Sequence, residues 1–156
     1  MKKVFLLTAA VALLTVACER STNATPPSHA QSSWLTDYKQ AQQEAKRSRK
    51  LLLLDFTGSD WCGPCILFRR NVFSKPEFKE YASKNLVLME VDFPKAKQQS
   101  ATLKKQNMQL AMQHQVEGFP TIIVLNGDGR KVWEFIGYFP GDQKAFIAQL
   151  EKLRKG

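Results

Sequence analysis

Two cysteines separated by two residues lie just after a short apolar run, and this arrangement constrains the chain more than any other feature. The apolar run is Leu51–Phe56, and the motif is Trp61-Cys62-Gly63-Pro64-Cys65. A continuous apolar run of this length predicts a strand that is buried on both faces. Proline is tolerated in the first turn of a helix, where its missing N–H would have no partner. The sequence therefore predicts a strand, a short loop and a helix that begins at the two cysteines.

The spacing of the two thiols indicates thiol–disulfide exchange. A thiolate that attacks a foreign disulfide forms a mixed disulfide, which a second thiol within bonding distance must resolve. We predict that Cys62 attacks and Cys65 resolves, because a helix N-terminus favours the thiolate at Cys62. A purely structural disulfide would close too short a loop to add much stability. A zinc site would need a second pair of ligands, and Cys18, His29 and His114 do not have metal-ligand spacing, so we predict no metal and no cofactor.

The N-terminus has the pattern of an export signal. Two lysines precede the apolar run Val4–Ala17, which has the shape of a signal peptide and is too short for a bilayer anchor. Two kinds of processing compete. Cys18 is a candidate lipidated first residue of a lipoprotein, whereas cleavage after Ala17 or Ala30 would release a soluble form. The predicted location is the periplasm or cell envelope, with or without a lipid anchor.

After the predicted signal peptide (1–17), the chain divides into a tether and one domain. Residues 18–33 are rich in Ser, Thr, Pro and Asn and predict a flexible tether, and residues 34–156 suit one domain with one core. The formal charge of +9 falls to +7 once Lys2 and Lys3 are removed. The remaining basic residues are spread over several segments without interleaved stacking aromatics, which argues against a nucleic-acid site and predicts a solvated basic surface.

Periodicity predicts the order helix, strand, helix, strand, helix, strand, strand, helix, with a further short helix just before the second strand. The first helix is expected from Trp34 to about Ser48, because Trp34, Tyr38, Ala41 and Ala45 recur at helical spacing. The other expected elements are the strand 51–56, a helix from the dithiol to about residue 73, a short helix 78–84, the strand 86–93, a helix 101–115, strands 122–125 and 131–137 joined by an Asn-Gly turn, and a closing helix 142–155.

The dithiol motif and the segment Val116–Thr121, with the hairpin that follows it, resemble the thioredoxin family from Trp34 to the C-terminus. The resemblance implies an α/β thioredoxin fold with a central four-stranded mixed sheet flanked by helices. The stretch Val72–Phe78 followed by Leu86–Asp92 is similar to the thioredoxin-like C-terminal domain of the membrane electron transporter DsbD.

The resemblance also implies roles for individual residues. Cys62 would be an exposed nucleophile and Cys65 a shielded resolving thiol, and the two would form the redox disulfide. Pro120 matches the family's cis-proline, which presents backbone to an extended substrate. Phe119 stands where the family often has a smaller aliphatic residue, which is expected either to reshape the substrate groove or to have no effect on it. The expected substrate contacts are Trp61, Gly63, Pro64, Phe119, Pro120 and Thr121.

Asp55 resembles the family's buried acid, which helps to move the proton of the resolving cysteine, although it lies one residue further upstream than usual. The extra residue falls within Thr57–Asp60 and is expected to be absorbed in a loop; the alternative is a purely structural acid. The lysine that often neighbours the acid aligns with Leu88, so we expect no compensating positive charge and an acid that resists ionisation. Asp60 is expected to be solvated or capping, and His114 to be packed.

The dipeptide between the cysteines predicts the direction of electron flow. Gly63-Pro64 matches the reducing thioredoxins, whose potential of about −270 mV lies about 150 mV, or roughly 7 kcal/mol, below that of the oxidant DsbA. We predict a monomeric, exported protein-disulfide reductase that supports cell redox homeostasis. It would act on disulfide-containing exported proteins and take electrons from a membrane donor of the DsbD kind. The alternatives are a disulfide oxidase or isomerase and, from another class, a carrier that binds copper or a client protein.

Overall fold

The computed structural model describes residues 34–137, 139 and 141–155. The predicted signal peptide, the processing sites, the tether and the candidate lipidation site Cys18 lie outside these residues. No helix among the described residues is both long and apolar enough to cross a lipid bilayer.

One four-stranded mixed sheet organises the structure, in the strand order β2-β1-β3-β4. The outer strand β2 runs parallel to β1, whereas β3 and β4 continue the sheet in antiparallel pairs. The sheet predicted from the sequence is therefore confirmed. The strands are β1 (Leu51–Thr57), β2 (Leu86–Asp92), β3 (Thr121–Leu125) and β4 (Lys131–Ile136).

Among the described residues, five α-helices flank the sheet. They are α1 (Tyr38–Ser48), α2 (Gly63–Phe68), α3 (Pro76–Asn85), α4 (Ala101–His114) and α5 (Gln143–Lys155). The second helix passes without a break into a π-helical turn, Arg69–Phe73. Turns of this kind are rare in proteins, and those that occur often lie at functional sites.

The first helix begins four residues later than the sequence pattern predicted. The side chain of Asp37 caps it by accepting a backbone N–H bond of 2.8 Å from the first turn. Leu35 does not belong to the helix, because its backbone forms two bonds of 2.9 Å with β2. Trp34 packs with the residues on one face of the sheet, whereas Ala41 lies against the opposite face. The helical spacing between Trp34 and Tyr38 was therefore coincidental, and the prediction for Trp34 was wrong.

The central strand β1 is buried along its whole length, as its apolar run predicted. Leu52 and Leu54 pack on one face, with residues of α1 and α4. Leu51 and Leu53 pack on the other face, with residues of α2, α3 and α5. Because side chains alternate along a strand, Asp55 shares the second face and lies on the side of the sheet that α2 covers. The fold therefore places the acid on the same side as the helix that follows Cys62.

Candidate active site

The two cysteines lie at the start of α2 and are joined as a disulfide, with their Cα atoms 5.2 Å apart. Cys62 is the N-cap residue, and its Sγ accepts the backbone N–H of Cys65 at 3.3 Å. Pro64 occupies the first turn, where the helix needs no N–H from it. The helix thus begins at the motif as predicted, and an N–H donor directed at Sγ favours the thiolate form of Cys62.

Both cysteines are buried in this oxidised form. Cys62 is 5% exposed and Cys65 is 4% exposed, whereas Gly63 and Pro64 between them are exposed. The expected shielding of Cys65 is present, whereas Cys62, which was expected to be exposed, is buried as well. The reason is local, since Sγ of the N-cap residue turns back onto the first helical turn, towards its bonded sulfur and the N–H of Cys65.

Trp61 forms an exposed aromatic wall next to the dithiol. Its side chain is 42% exposed, and its indole N–H donates to the carbonyl of Phe93 at 2.8 Å. The ammonium group of Lys95 lies 4.2 Å from the centre of the ring, a cation–π distance. The ring also lies across Gly58, where an added Cβ would come within 2.5 Å of the indole. Glycine at position 58 is therefore required for the position of Trp61.

Asp60 fastens the loop after β2 to the dithiol motif. Its carboxylate accepts the backbone N–H groups of Lys95, Ala96 and Lys97 at 3.0, 2.8 and 3.1 Å. These bonds lower the pKa of Asp60, because they stabilise the ionised carboxylate. The sequence predicted a solvated or capping residue, and it missed this role because the donors lie in a distant segment of the chain.

The segment before β3 brings a second aromatic residue to the site. The Phe119–Pro120 peptide bond is cis, and the carbonyl of Pro120 accepts the N–H of Gly137 at 2.8 Å. The ring of Phe119 stacks on Phe93 at a centroid distance of 5.1 Å and meets Trp61 at 6.0 Å. Two predicted contact residues that are distant in sequence are therefore brought together beside Cys62.

Thr121 does not take part in this surface. It is 0% exposed, and its hydroxyl donates to the carbonyl of Gly118 at 2.8 Å. It also lies within the sheet, opposite Phe56 on β1 and Ile136 on β4. A residue without exposed surface cannot contact a partner, so the predicted binding role of Thr121 is corrected to a structural one.

Asp55 is buried within β1 at 3% exposure, and the extra residue before the dithiol is accommodated after the strand, as expected. Burial is the main cause that raises the pKa of Asp55 to about 7, since it disfavours the charged form. Arg69 opposes this shift, and the carboxylates of Glu90 and Asp92 add to it. An acid with such a pKa exchanges a proton near neutral pH, as a proton carrier must.

The expectation that Asp55 has no compensating charge was wrong. A guanidinium nitrogen of Arg69 lies 3.8 Å from Oδ2 of Asp55, and the same nitrogen forms an ion pair with Glu90. The family's lysine aligns with Leu88 on the strand β2, whereas in the structure the cation next to Asp55 is Arg69, in the π-helical turn after α2. The sequence did contain one indication of this cation, because a spacing of four residues places Arg69 one helical turn after Cys65.

His114 is a packed residue, as expected. It is buried at 8% exposure, its ring meets Phe56 at a centroid distance of 6.2 Å, and burial lowers its pKa. Within residues 34–137, 139 and 141–155, no group of three or more His, Cys, Asp or Glu side chains could hold a metal ion.

Comparison with known proteins agrees with this geometry. Residues 38–154 match the family described as thioredoxin-like domain. The chain belongs to this thioredoxin-like family. The resemblance stated from the two motifs is therefore confirmed, and with its Cys-x-x-Cys pair the chain is a thioredoxin-like disulfide oxidoreductase.

Two curated relatives come from Chlamydia pneumoniae. The disulfide bond reductase DsbH is 32% identical over 118 residues, which cover 76% of this chain and 70% of DsbH. The thioredoxin-related protein DsbJ is 34% identical over 127 residues, which cover 77% of this chain but only 36% of DsbJ. Among solved structures, a DsbH oxidoreductase superposes with a TM-score of 0.74 at 30% identity, covering 89% of this chain and 95% of that one. This thioredoxin-like chain is thus homologous to DsbH and DsbJ.

Proposed function

We propose that this protein is an exported disulfide reductase that acts on protein substrates by dithiol–disulfide exchange. The observation that carries the proposal is the Cys62–Cys65 pair at the start of α2, with Gly63-Pro64 between the thiols. A homologue that bears the name disulfide bond reductase supports the direction. The dipeptide supports it independently, because it matches that of the reducing thioredoxins.

The reaction transfers two electrons from the dithiol to the substrate. The Cys62 thiolate attacks one sulfur of a substrate disulfide, which forms a mixed disulfide and releases the other substrate sulfur as a thiolate. Cys65 then loses its proton and attacks Sγ of Cys62, which releases the second substrate thiol and leaves the Cys62–Cys65 disulfide. Asp55 is the proposed acceptor of the Cys65 proton, since it lies on the α2 side of the sheet and has a pKa near neutrality.

The proposed substrate surface surrounds the disulfide. Gly63 and Pro64 are exposed at its centre, and Trp61 and the half-buried Phe119, whose rings meet at 6.0 Å, form one aromatic flank; cis Pro120 follows Phe119 and is itself buried. An extended peptide would align with the backbone at Phe119, just before cis Pro120, with apolar side chains against the two aromatic rings; the carbonyl of Pro120 is already bonded to Gly137. Because Phe93 holds the ring of Phe119 in place, we propose that Phe119 adds a fixed aromatic surface to the groove where family members carry a smaller residue.

The proposed setting is the periplasm or cell envelope, and the proposed electron donor is a membrane transporter of the DsbD kind that restores the dithiol after each turnover. We also propose a monomer. Fractionation of cells that express the full chain, with mass spectrometry of its mature N-terminus, distinguishes lipidation at Cys18 from cleavage after Ala17 or Ala30. Size-exclusion chromatography with light scattering of the purified domain tests the oligomeric state.

The redox potential is the decisive measurement for the direction of electron flow. We expect equilibration with glutathione or dithiothreitol buffers to place the pair close to the thioredoxin value of about −270 mV, with catalysis of insulin reduction. A potential near the DsbA value of about −120 mV would refute the reductase and favour an oxidase. Catalysis of disulfide rearrangement without net reduction would indicate an isomerase.

A trapping experiment tests the assignment of the two thiols. Cys65→Ser should accumulate mixed disulfides between Cys62 and its substrates, because the resolving thiol is missing. Cys62→Ser is the matched control and should accumulate far fewer. Equal trapping by the two variants would contradict the roles proposed for them, and tight stoichiometric Cu(I) binding without reductase turnover would favour the carrier instead.

A further inference from the structure

Arg69 connects the helix turn of Cys65 to the buried acid. Its backbone N–H bonds to the carbonyl of Cys65, one turn earlier. Its guanidinium reaches Asp55 at 3.8 Å, forms the ion pair with Glu90 and lies 5.5 Å from the ring centre of Trp34. One side chain is therefore held at the same time by a buried carboxyl group, a half-buried carboxylate and an aromatic ring.

The two carboxyl groups share this cation unequally. Asp55 and Glu90 are direct register partners on the parallel strands β1 and β2, so their side chains leave the sheet on the same face. Glu90 makes the direct ion pair, whereas the 3.8 Å separation from Asp55 exceeds the 2.7–2.9 Å of a charge-assisted hydrogen bond. Arg69 therefore acts on Asp55 through its charge and not through a full hydrogen-bonded pair.

We propose that Arg69 is a positioning residue for proton transfer at Cys65, and that Glu90 holds its guanidinium at a distance which leaves Asp55 free to take up and release a proton. The proposal rests on the proposed function, in which Asp55 accepts the proton of Cys65. Arg69 would thus be the positive charge beside the buried acid, which in the family is a lysine at the position of Leu88. A cation anchored to the turn of Cys65 also keeps the charge in a constant position relative to the reacting thiol.

The charged groups around Asp55 make opposite contributions. Arg69 approaches from the turn after α2, Glu90 and Asp92 approach from β2, and the register partner on β3 is the non-titratable Ile122. Arg69 lowers the pKa of Asp55, and the two carboxylates raise it. Removal of Arg69 and removal of the Glu90 charge must therefore move the titration of Asp55 in opposite directions. That sign difference separates an electrostatic role from general damage to the structure.

The first experiment follows the Asp55 side chain by carboxyl carbon NMR in the oxidised protein, where Cys62 and Cys65 do not titrate. We expect Arg69→Met to shift the midpoint of Asp55 upward by about one pH unit or more, because a neighbouring arginine depresses the pKa of an aspartate by about 1–3 units. Arg69→Lys keeps the positive charge, so its Asp55 midpoint should lie close to that of the unaltered protein. Glu90→Gln should move the midpoint downward, since it removes a like charge and releases Arg69 towards Asp55.

The second experiment measures the rate at which Cys65 resolves a preformed mixed disulfide on Cys62, as a function of pH. We expect the midpoint of this rate profile to move to higher pH in Arg69→Met and to lower pH in Glu90→Gln. Arg70→Met is the matched control, since Arg70 is the exposed neighbour for which no ion pair is found among the described residues. It should leave both the NMR midpoint and the rate profile unchanged.

The outcomes separate this inference from the proposed function. An Asp55 midpoint that stays constant, or that moves in the same direction in Arg69→Met and Glu90→Gln, overturns the electrostatic role of Arg69. Opposite NMR shifts with an unchanged resolution profile overturn its role in proton transfer. If both profiles move as expected but the unaltered protein does not reduce insulin, the inference stands and the proposed reductase function fails. Circular dichroism of each variant checks the fold, and Glu90→Gln supplies the test if Arg69→Met does not fold.

Discussion

Replacement of Asp55 by asparagine should make the protein more stable at alkaline pH. Asp55 is 3% exposed, and burial raises its pKa to about 7 from the 3.8 of an ordinary aspartic acid. Between these two values the folded state binds one proton more than the unfolded state. Stability therefore falls as the pH rises through this window, and above pH 7 the folded protein carries the full cost of a buried charge.

The size of the effect follows from the shift in pKa. A shift of about three pH units corresponds to about 4 kcal/mol of unfolding free energy, at about 1.4 kcal/mol per unit. Asparagine has nearly the shape of the protonated acid and never ionises. We therefore expect Asp55→Asn to match the unaltered protein only below pH 3.8, to exceed its stability by about 1–2 kcal/mol at pH 5, and to exceed it by about 4 kcal/mol at pH 8.5.

Urea unfolding of the oxidised protein at pH 5 and pH 8.5 measures this difference, since the disulfide prevents the cysteines from titrating. Asp128→Asn is a matched control, because it makes the same chemical change at an exposed position of the hairpin turn. The control should show the same pH dependence as the unaltered protein. The reasoning is refuted if Asp55→Asn gains no stability between pH 5 and pH 8.5 relative to both of these proteins.

Three further substitutions test other parts of the structure. Gly58→Ala places a Cβ 2.5 Å from the Trp61 indole, so the ring must move; we expect an altered tryptophan fluorescence spectrum and a several-fold slower reduction of insulin, and unchanged values would contradict the contact. Asp60→Asn removes the charge of a carboxylate that accepts three backbone N–H bonds. These bonds lower the pKa of Asp60, so the stability that they contribute is present at neutral pH and is lost as the pH falls below 3.8. Those amides should exchange hydrogen faster in the variant at pH 7, and equal rates there would show that the bonds do not hold the loop. Phe146 is 0% exposed, and its ring meets those of Phe68 and Phe139 at centroid distances of 5.3 Å. Phe146→Ala leaves a cavity between them and should cost about 3–5 kcal/mol in urea unfolding. Ile136→Ala is the control, because Ile136 is 59% exposed, and it should cost about 0.5 kcal/mol or less. Similar losses of unfolding free energy in the two variants would argue against a core role for Phe146.

The parts of the site that depend on local sequence could be predicted. The apolar run before the dithiol specified β1, and the spacing of Cys62 and Cys65 with Pro64 between them specified the start of α2. These features are local because a strand, a helix start and a short covalent loop depend on residues that adjoin one another. The same kind of local pattern failed at Trp34, where a chance helical spacing was outweighed by the pairing of Leu35 with β2.

The electrostatics of the site could not be predicted in this way. Arg69 and Asp60 each act on residues that are distant in sequence, and the spacing along the chain does not reveal which side chains will meet. The exposure of Cys62 was also beyond the sequence, because it depends on how the N-cap residue turns towards its helix.

By itself, the sequence determined the order of most of the elements, the position of the dithiol and the chemistry that two adjacent thiols can perform. Only the tertiary structure decided which cation lies next to Asp55, which loop supports Trp61 and which of the predicted contact residues reach the surface. The physical reason is that periodicity and covalent spacing act between neighbours in the chain, whereas burial and Coulomb interactions depend on distances that exist only after folding.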